Sequence, residues 1–269
     1  MRLISVSGRV EIRGRYNLLP RMMHLLVAHP GHELLLHGWI SRNKPVVHVL
    51  TDGAANSSGT RLAGTAELLR GAEARAGAIF GRLSDREAYE MILERNTALL
   101  FSLVEELAEH LNNDRPAIIV SDSAEGYNPV HDLCRLIAGA AISMSGVPTK
   151  QYEYAVVNHP HSFDDAAIVV DLEAAEYAAK MERARRQAGA LTDIDALLAQ
   201  HGADAYRRES FCRVVDWAAI DDGAPPLYER YGEERVAAHR YTDVIRRREH
   251  MLPLRDALCA LVEKRSCAF

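Results

Sequence analysis

The stretch His24-Leu25-Leu26-Val27-Ala28-His29-Pro30-Gly31-His32-Glu33 limits what the chain can fold into more than any other. Leu25 to Ala28 is a short apolar run of strand length, and Pro30-Gly31 stops it before a helical pattern that begins near Glu33. His29 and His32 then stand at the carboxyl tip of a buried strand. In an open parallel sheet that is where side chains leave the fold and face a ligand crevice. H-x-x-H on its own is equally compatible with one histidine that ends a strand and another that caps a helix.

Further runs of the same kind follow in order. Lys44-Pro45 turns the chain into Val46-Val47-His48-Val49-Leu50, mostly β-branched, as befits a strand covered on both faces, and it ends in Thr51-Asp52-Gly53. Residues 56–64 are mostly small and polar and read as a loop. Residues 65–110 carry apolar side chains at helical spacing, Ile92, Leu99, Leu103 and Leu107 among them, until Asn112 to Pro116 breaks the helix. Ala117 to Val120 is another buried strand, ending in Ser121-Asp122, and Leu133 to Ile142 continues as an apolar helix. Tyr152 to Val157 and Ala167 to Asp171 supply later strands.

Strands alternating with long helical patterns predict an α/β fold of three layers, α/β/α and Rossmann-like. Its sheet is mainly parallel, and the strands near 24–28, 46–50 and 117–121 have their carboxyl ends together. Val10, Ile12 and Tyr16 share a period-two register and predict a short edge strand ahead of this core. With no internal repeat or low-complexity linker, residues 1–269 are read as one domain, a core over about 22–215 and a helical extension over about 225–265. The charged residues of the helical pattern from Leu172 to His201, Lys180, Arg183, Arg185 and Arg186 with Glu173, Glu176 and Glu182, are read as a solvated face; a basic substrate-binding patch is the sharper alternative. His159 and His161 are turn residues or pocket-lining ones.

A net charge of −5 gives no electrostatic reason to expect nucleic acid or an anionic membrane, so partners are expected to be small molecules, and homo-oligomerisation is compatible with this. The four cysteines, Cys134, Cys212, Cys259 and Cys267, are widely spaced and form no C-x-x-C pair, which argues against a disulfide scaffold or a thiolate zinc cluster. No stretch approaches the roughly 18 consecutive apolar residues of a membrane span, and Met1 to Tyr16 lacks a signal-peptide core. The expectation is a soluble, cytoplasmic protein.

The second informative stretch is Ala124-Glu125-Gly126-Tyr127-Asn128-Pro129-Val130-His131-Asp132. Together with Ala28 to Glu33 it carries a resemblance to the PIG-L/LmbE family of zinc-dependent de-N-acetylases. Ala28-His29-Pro30-Gly31-His32-Glu33 resembles the A-H-P-D-D-E signature at the end of that family's first core strand, and Asn128-Pro129-Val130-His131 resembles its H-P-D-H motif. Thr51-Asp52-Gly53 and Tyr206 to Phe211 resemble less specific parts of it, so that the likeness spans roughly residues 22 to 260. Two departures bear on chemistry. The general base, the first Asp of the signature, is Gly31 here, and the second Asp, a metal ligand, is His32. Asn128 stands for the histidine that helps polarise the scissile carbonyl; it can donate a hydrogen bond to an oxyanion but not a proton.

The resemblance implies a divalent metal, zinc first, held by His29, His32 and His131. A three-imidazole set is neutral and leaves the ion its full charge, though nickel, iron or copper accept imidazole too. Replacement bases for Gly31 would come from other strand ends: Asp122 and Glu125 first, then Asp52, whose alternative is an Asx-turn before Gly53. Asp132 and Glu33 are read as carboxylates that orient imidazoles, and Tyr127 or Asn128 as groups that steady an oxyanion. The resemblance thus implies hydrolysis of an N-acylated sugar or similar small polar metabolite. Because the usual base is missing, a different metal-centred reaction and a ligand-binding protein without turnover stay beside it.

Overall fold

The structure is a computed structural model that describes residues 22–54, 59–163, 165–186, 191–221 and 223–266. The expected edge strand at Val10 to Tyr16, part of the 56–64 loop, and Cys267 lie outside them. Among the described residues seven strands form one sheet: β1 (Met23–Val27), β2 (Val46–Thr51), β3 (Arg75–Leu83), β4 (Ile118–Asp122), β5 (Lys150–Tyr154), β6 (Ile168–Asp171) and β7 (Arg208–Arg213), in the order β3-β2-β1-β4-β5-β7-β6. The helices are α1 (His37–Asn43), α2 (Leu62–Gly71), α3 (Asp85–Leu93), α4 (Thr97–Asp114), α5 (Pro129–Ser145), α6 (Ala174–Arg186), α7 (Leu191–His201), α8 (Leu227–Ala237) and α9 (Leu252–Ser266).

β1 to β5 are mutually parallel, with Leu25 opposite both Val47 and Val120, so the carboxyl ends of β1, β2 and β4 are together as the sequence predicts. β7 runs antiparallel between β5 and β6. Alternation along β1 divides the core. Leu26 and Ala28 join α3, α4, α5 and α9 on one face, and Leu25 and Val27 join α1, α2 and α6 on the other, which makes the three layers. Strand order reverses between β1 and β4, the place where an open α/β sheet leaves a crevice at its carboxyl edge.

Two elements depart from expectation. The stretch read as continuous helix over 65–110 contains β3, an edge strand made of Arg-Ala-Gly-Ala-Ile-Phe-Gly-Arg-Leu and paired to β2 through register shifts. A β-carbon at Gly77 would collide with the His48 ring, and Gly81 has φ +69°. An edge strand that is irregular, half exposed and rich in Ala, Gly and Arg carries neither the β-branched run nor the period-two signal of its neighbours. The second departure is Lys180. Only 4% exposed, it donates to Leu35 O (2.6 Å) and Glu209 Oε1 (2.9 Å), and Glu209 in turn accepts from the Gly38 and Trp39 amides at the start of α1. The charged helix therefore has one buried cation that pins α6 to β7 and α1.

Candidate functional site

β1 delivers His29 one residue beyond its buried run, and the bend at Pro30-Gly31 opens a short 3-10 turn, His32–Leu36, that brings His32 back over the sheet edge. His131 arrives on the first turn of α5. Pro129 begins that helix and Asn128 caps it, its Oδ1 accepting from the Val130 amide at 2.9 Å. The three rings, two from one short stretch and the third about a hundred residues later, stand edge-to-face around one point. Their centroids are 5.3 Å apart for His29 and His32, 5.4 Å for His29 and His131, and 4.6 Å for His32 and His131.

Each ring is held differently. His29 Nδ1 pairs with Thr51 Oγ1 (2.8 Å) and Asp85 Oδ1 (3.0 Å), so this nitrogen carries the proton. His29 Nε2 is left as an acceptor, 3.4 Å from the Asn128 amide nitrogen. His32 Nδ1 donates to Asp122 Oδ2 at 2.8 Å. His131 is buried, and its Nδ1 has no hydrogen-bond partner among the described residues. Burial pushes the His29 and His131 pKa values down, His131 strongly, which keeps both rings neutral. Burial acts the same way on His32, but the Asp122 carboxylate outweighs it and raises that pKa.

Asp122, the last residue of β4, is fully buried. Its Oδ2 also accepts from the Ala28 amide (3.0 Å), and its Oδ1 from the Tyr154 hydroxyl (2.7 Å). Burial opposes its charge, yet His32, first through its charge and then through its hydrogen bond, and the Ala28 N–H hold the carboxyl at about 2. A group so acidic and so fully engaged is a poor proton acceptor, so it departs from the general-base role expected of it. Its place is behind His32. Glu125 departs in the same way: its two oxygens accept from the amides of Val156, Val157 and Asn158 and tie down the segment after β5. Asp52 accepts from the Ala54 amide at 2.9 Å, which is the turn alternative.

The carboxylates expected to orient imidazoles do other work. Glu33 accepts from the Gly31 amide and the Thr65 hydroxyl, and Asp132 accepts from the Gly126 amide while burial lifts its pKa to about 7. Asp122 and Asp85 orient the rings instead. Asp85 carries no signal of its own in the sequence, because the strand before it has no strand pattern. The nearby signal is Ser84-x-x-Glu87, a capping box that marks where β3 ends and α3 starts.

Donor atoms of His32, Asp122 and His131 all lie within 4.8 Å of one another, a group able to hold a metal ion. The His29 ring centroid stands 5.3 and 5.4 Å from those of His32 and His131, but its donor atoms are not part of that group. Two of these imidazoles have a carboxylate behind them, the usual arrangement behind metal-bound histidine, and the orphaned Nδ1 of buried His131 is unexplained without a further partner.

No family model matches the sequence, and no curated protein matches it. Solved structures do match in fold. The A40926 pseudoaglycone deacetylase Dbv21 superposes with a TM-score of 0.52 at 14% identity, over 75% of this chain and 100% of that one. The conserved protein TT1542 from Thermus thermophilus gives 0.48 at 18% identity, over 76% and 99%, and a deacetylase triple mutant from the teicoplanin biosynthetic pathway gives 0.49 at 10%, over 72% and 99%. The sheet order and the match along the whole of Dbv21 give this chain the α/β Rossmann-like fold of the LmbE type.

Proposed function

We propose that this protein is a divergent PIG-L/LmbE-type, metal-dependent amide hydrolase that removes an acyl group from an N-acylated sugar or a similar small polar metabolite. The observation that carries the reading is the convergence of His29, His32 and His131 at the switch point of the sheet, with Asp85 and Asp122 behind two of them. His29, His32 and His131 would hold the ion. Asp122, already accepting three hydrogen bonds, orients His32 instead of competing for the metal. Zinc bound there would act as a Lewis acid that polarises a carbonyl and acidifies water near neutral pH.

The chain's own groups do the rest. Thr51 and Asp85 fix the His29 tautomer, and Asp122 fixes that of His32. Asn128 Nδ2 and the Tyr127 hydroxyl are the donors for a developing oxyanion. Gly31 supplies no base, and Asp122, Glu125, Asp52, Asp85 and Glu33 are each engaged in hydrogen bonds. That engagement favours a second reading, binding of metal and an N-acylated ligand without turnover. The test is metal analysis of protein purified without a polyhistidine tag, then assay of acetate release from N-acetylated sugars and amino compounds. One bound ion with acetate release supports hydrolysis; one ion with ligand binding and no product supports the second reading; no bound metal rejects both.

A further inference from the structure

Asp122 stands within reach of the ion site and is bound elsewhere. One of its oxygens lies within 4.8 Å of donor atoms of His32 and of His131, and a carboxylate takes a zinc ion at about 2.0–2.2 Å much as an imidazole does. Whether Asp122 orients His32 or joins the ion is therefore decided by what holds its two oxygens. Oδ2 accepts from the Ala28 amide (3.0 Å) and from His32 Nδ1 (2.8 Å). Oδ1 accepts from the Tyr154 hydroxyl at 2.7 Å.

The sheet places Tyr154 for this contact. It is the last residue of β5 and lies in register with Asp122, the last residue of β4, and in-register neighbours on paired strands share a face. Its ring is 1% exposed and belongs to the apolar layer of Val27, Tyr152, Val156 and Phe211. Phenylalanine would fill that space, so packing accounts for the ring but not for the hydroxyl. A buried phenol takes a hydrogen-bond partner, and here the partner is a carboxylate, at the spacing of a charge-assisted bond. Burial first, then the Asp122 charge, push the phenol pKa well up, so the group stays an O–H donor.

We propose that Tyr154 is a positioning residue of the metal centre: its hydroxyl retains Asp122 behind His32 and keeps a carboxylate out of the ion's ligand set. The proposal rests on the metal-binding part of the reading above and not on hydrolysis. Without the hydroxyl, Oδ1 is a charged oxygen that has lost its partner where solvent does not reach, which is costly. A divalent ion beside His32 and His131 is then the strongest partner within reach of the carboxylate. The neutral imidazole set gains an anionic ligand, and less of the ion's charge remains to acidify water.

The test uses cobalt(II), whose visible bands report the number and kind of its ligands. Protein purified without a polyhistidine tag is loaded with excess cobalt as wild type, Tyr154→Phe, Asp122→Asn and the double variant. Tyr152→Phe, which removes a phenol from the same face of β5, is the control. Tyr154→Phe is expected to shift and weaken the bands, as an added ligand does, with far-ultraviolet dichroism unchanged. In the Asp122→Asn background the same substitution is expected to shift nothing, because no carboxylate is left to release, and Tyr152→Phe keeps the wild-type spectrum. Bands of Tyr154→Phe that match wild type, or a shift of equal size in the Asp122→Asn background, overturn the proposal. A second measurement needs no variant. The slowly exchanging Tyr154 hydroxyl proton in the nuclear magnetic resonance spectrum is expected to persist when wild-type protein is loaded with zinc, and its loss on loading overturns the proposal too. Wild-type protein that binds neither ion sinks the metal reading and this proposal with it; bound metal with an indifferent Tyr154 sinks the proposal alone.

Discussion

At Gly31 the backbone takes φ +109° and ψ −24°, and its amide donates to Glu33 Oε2 at 2.7 Å. Only glycine adopts such a conformation without strain. The residue that removes the expected base therefore also shapes the bend that lets His29 and His32 face one another. Restoring the carboxylate by Gly31→Asp should lower stability by about 1–2 kcal/mol, measured as a shift in the urea midpoint; an unchanged midpoint would mean that the bend does not need glycine. Asp122 is the complementary case. Asp122→Asn keeps the shape but removes the charge behind His32, and metal affinity should fall about 10- to 100-fold with far-ultraviolet dichroism retained. Equal affinity in a competition with a chelator would reject the orienting role. His32→Ala and His131→Ala, which delete ligands outright, should each abolish stoichiometric metal.

Among the elements, those whose side chains had to satisfy one simple requirement were readable in the sequence. β1, β2 and β4 are buried on both faces, and burial alone writes an apolar run. β3 lies at the sheet edge, where pairing is irregular and side chains are small or charged, so the helical background of its neighbours hid it, and Asp85 with it. Lys180 shows the same limit on a helix, since a charged residue at helical spacing looks solvated whether or not an acid waits beneath it. His29, His32 and His131 could be singled out because motifs carried them; their orienting carboxylates, from elsewhere in the chain, had no motif. The buried pair makes its own prediction. Lys180→Met leaves Glu209 buried beside the start of α1 without its cation, and should cost about 3–5 kcal/mol in denaturant unfolding. A loss under about 1 kcal/mol would place the pair among those of solvated surfaces.

Taken as a whole, the molecule has histidine clusters at both edges of its sheet, and they respond to acid differently. At the amino edge His24 Nε2 donates to Asp114 Oδ2 (3.0 Å), so its Nδ1 accepts from His48 Nε2 (3.1 Å). His48 Nδ1 is then a buried acceptor without a partner among the described residues. His110 of α4 faces His48 at 6.2 Å between centroids, and Arg75 of β3 stands 3.6 Å from Asp114. This chain of bonds is a neutral relay, and protonating it places charge where solvent does not reach. Burial holds the His24 pKa at about 4 and that of His48 at about 3, against 6.5 for the free side chain. The folded state therefore binds fewer protons than the unfolded state below about pH 6.5. Stability contributed here is whole above that value, falls as pH drops toward about 4 and then 3, and changes no further below. His48→Phe keeps a ring beside Gly77 but removes one titrating group and the donor to His24. It should be less stable than wild type at pH 7 and lose less of its remaining stability between pH 7 and pH 4.5. Carboxylates and the metal-site histidines titrate in both proteins, so the difference between the two urea-midpoint profiles isolates this relay. Parallel profiles would show that the acid sensitivity lies elsewhere.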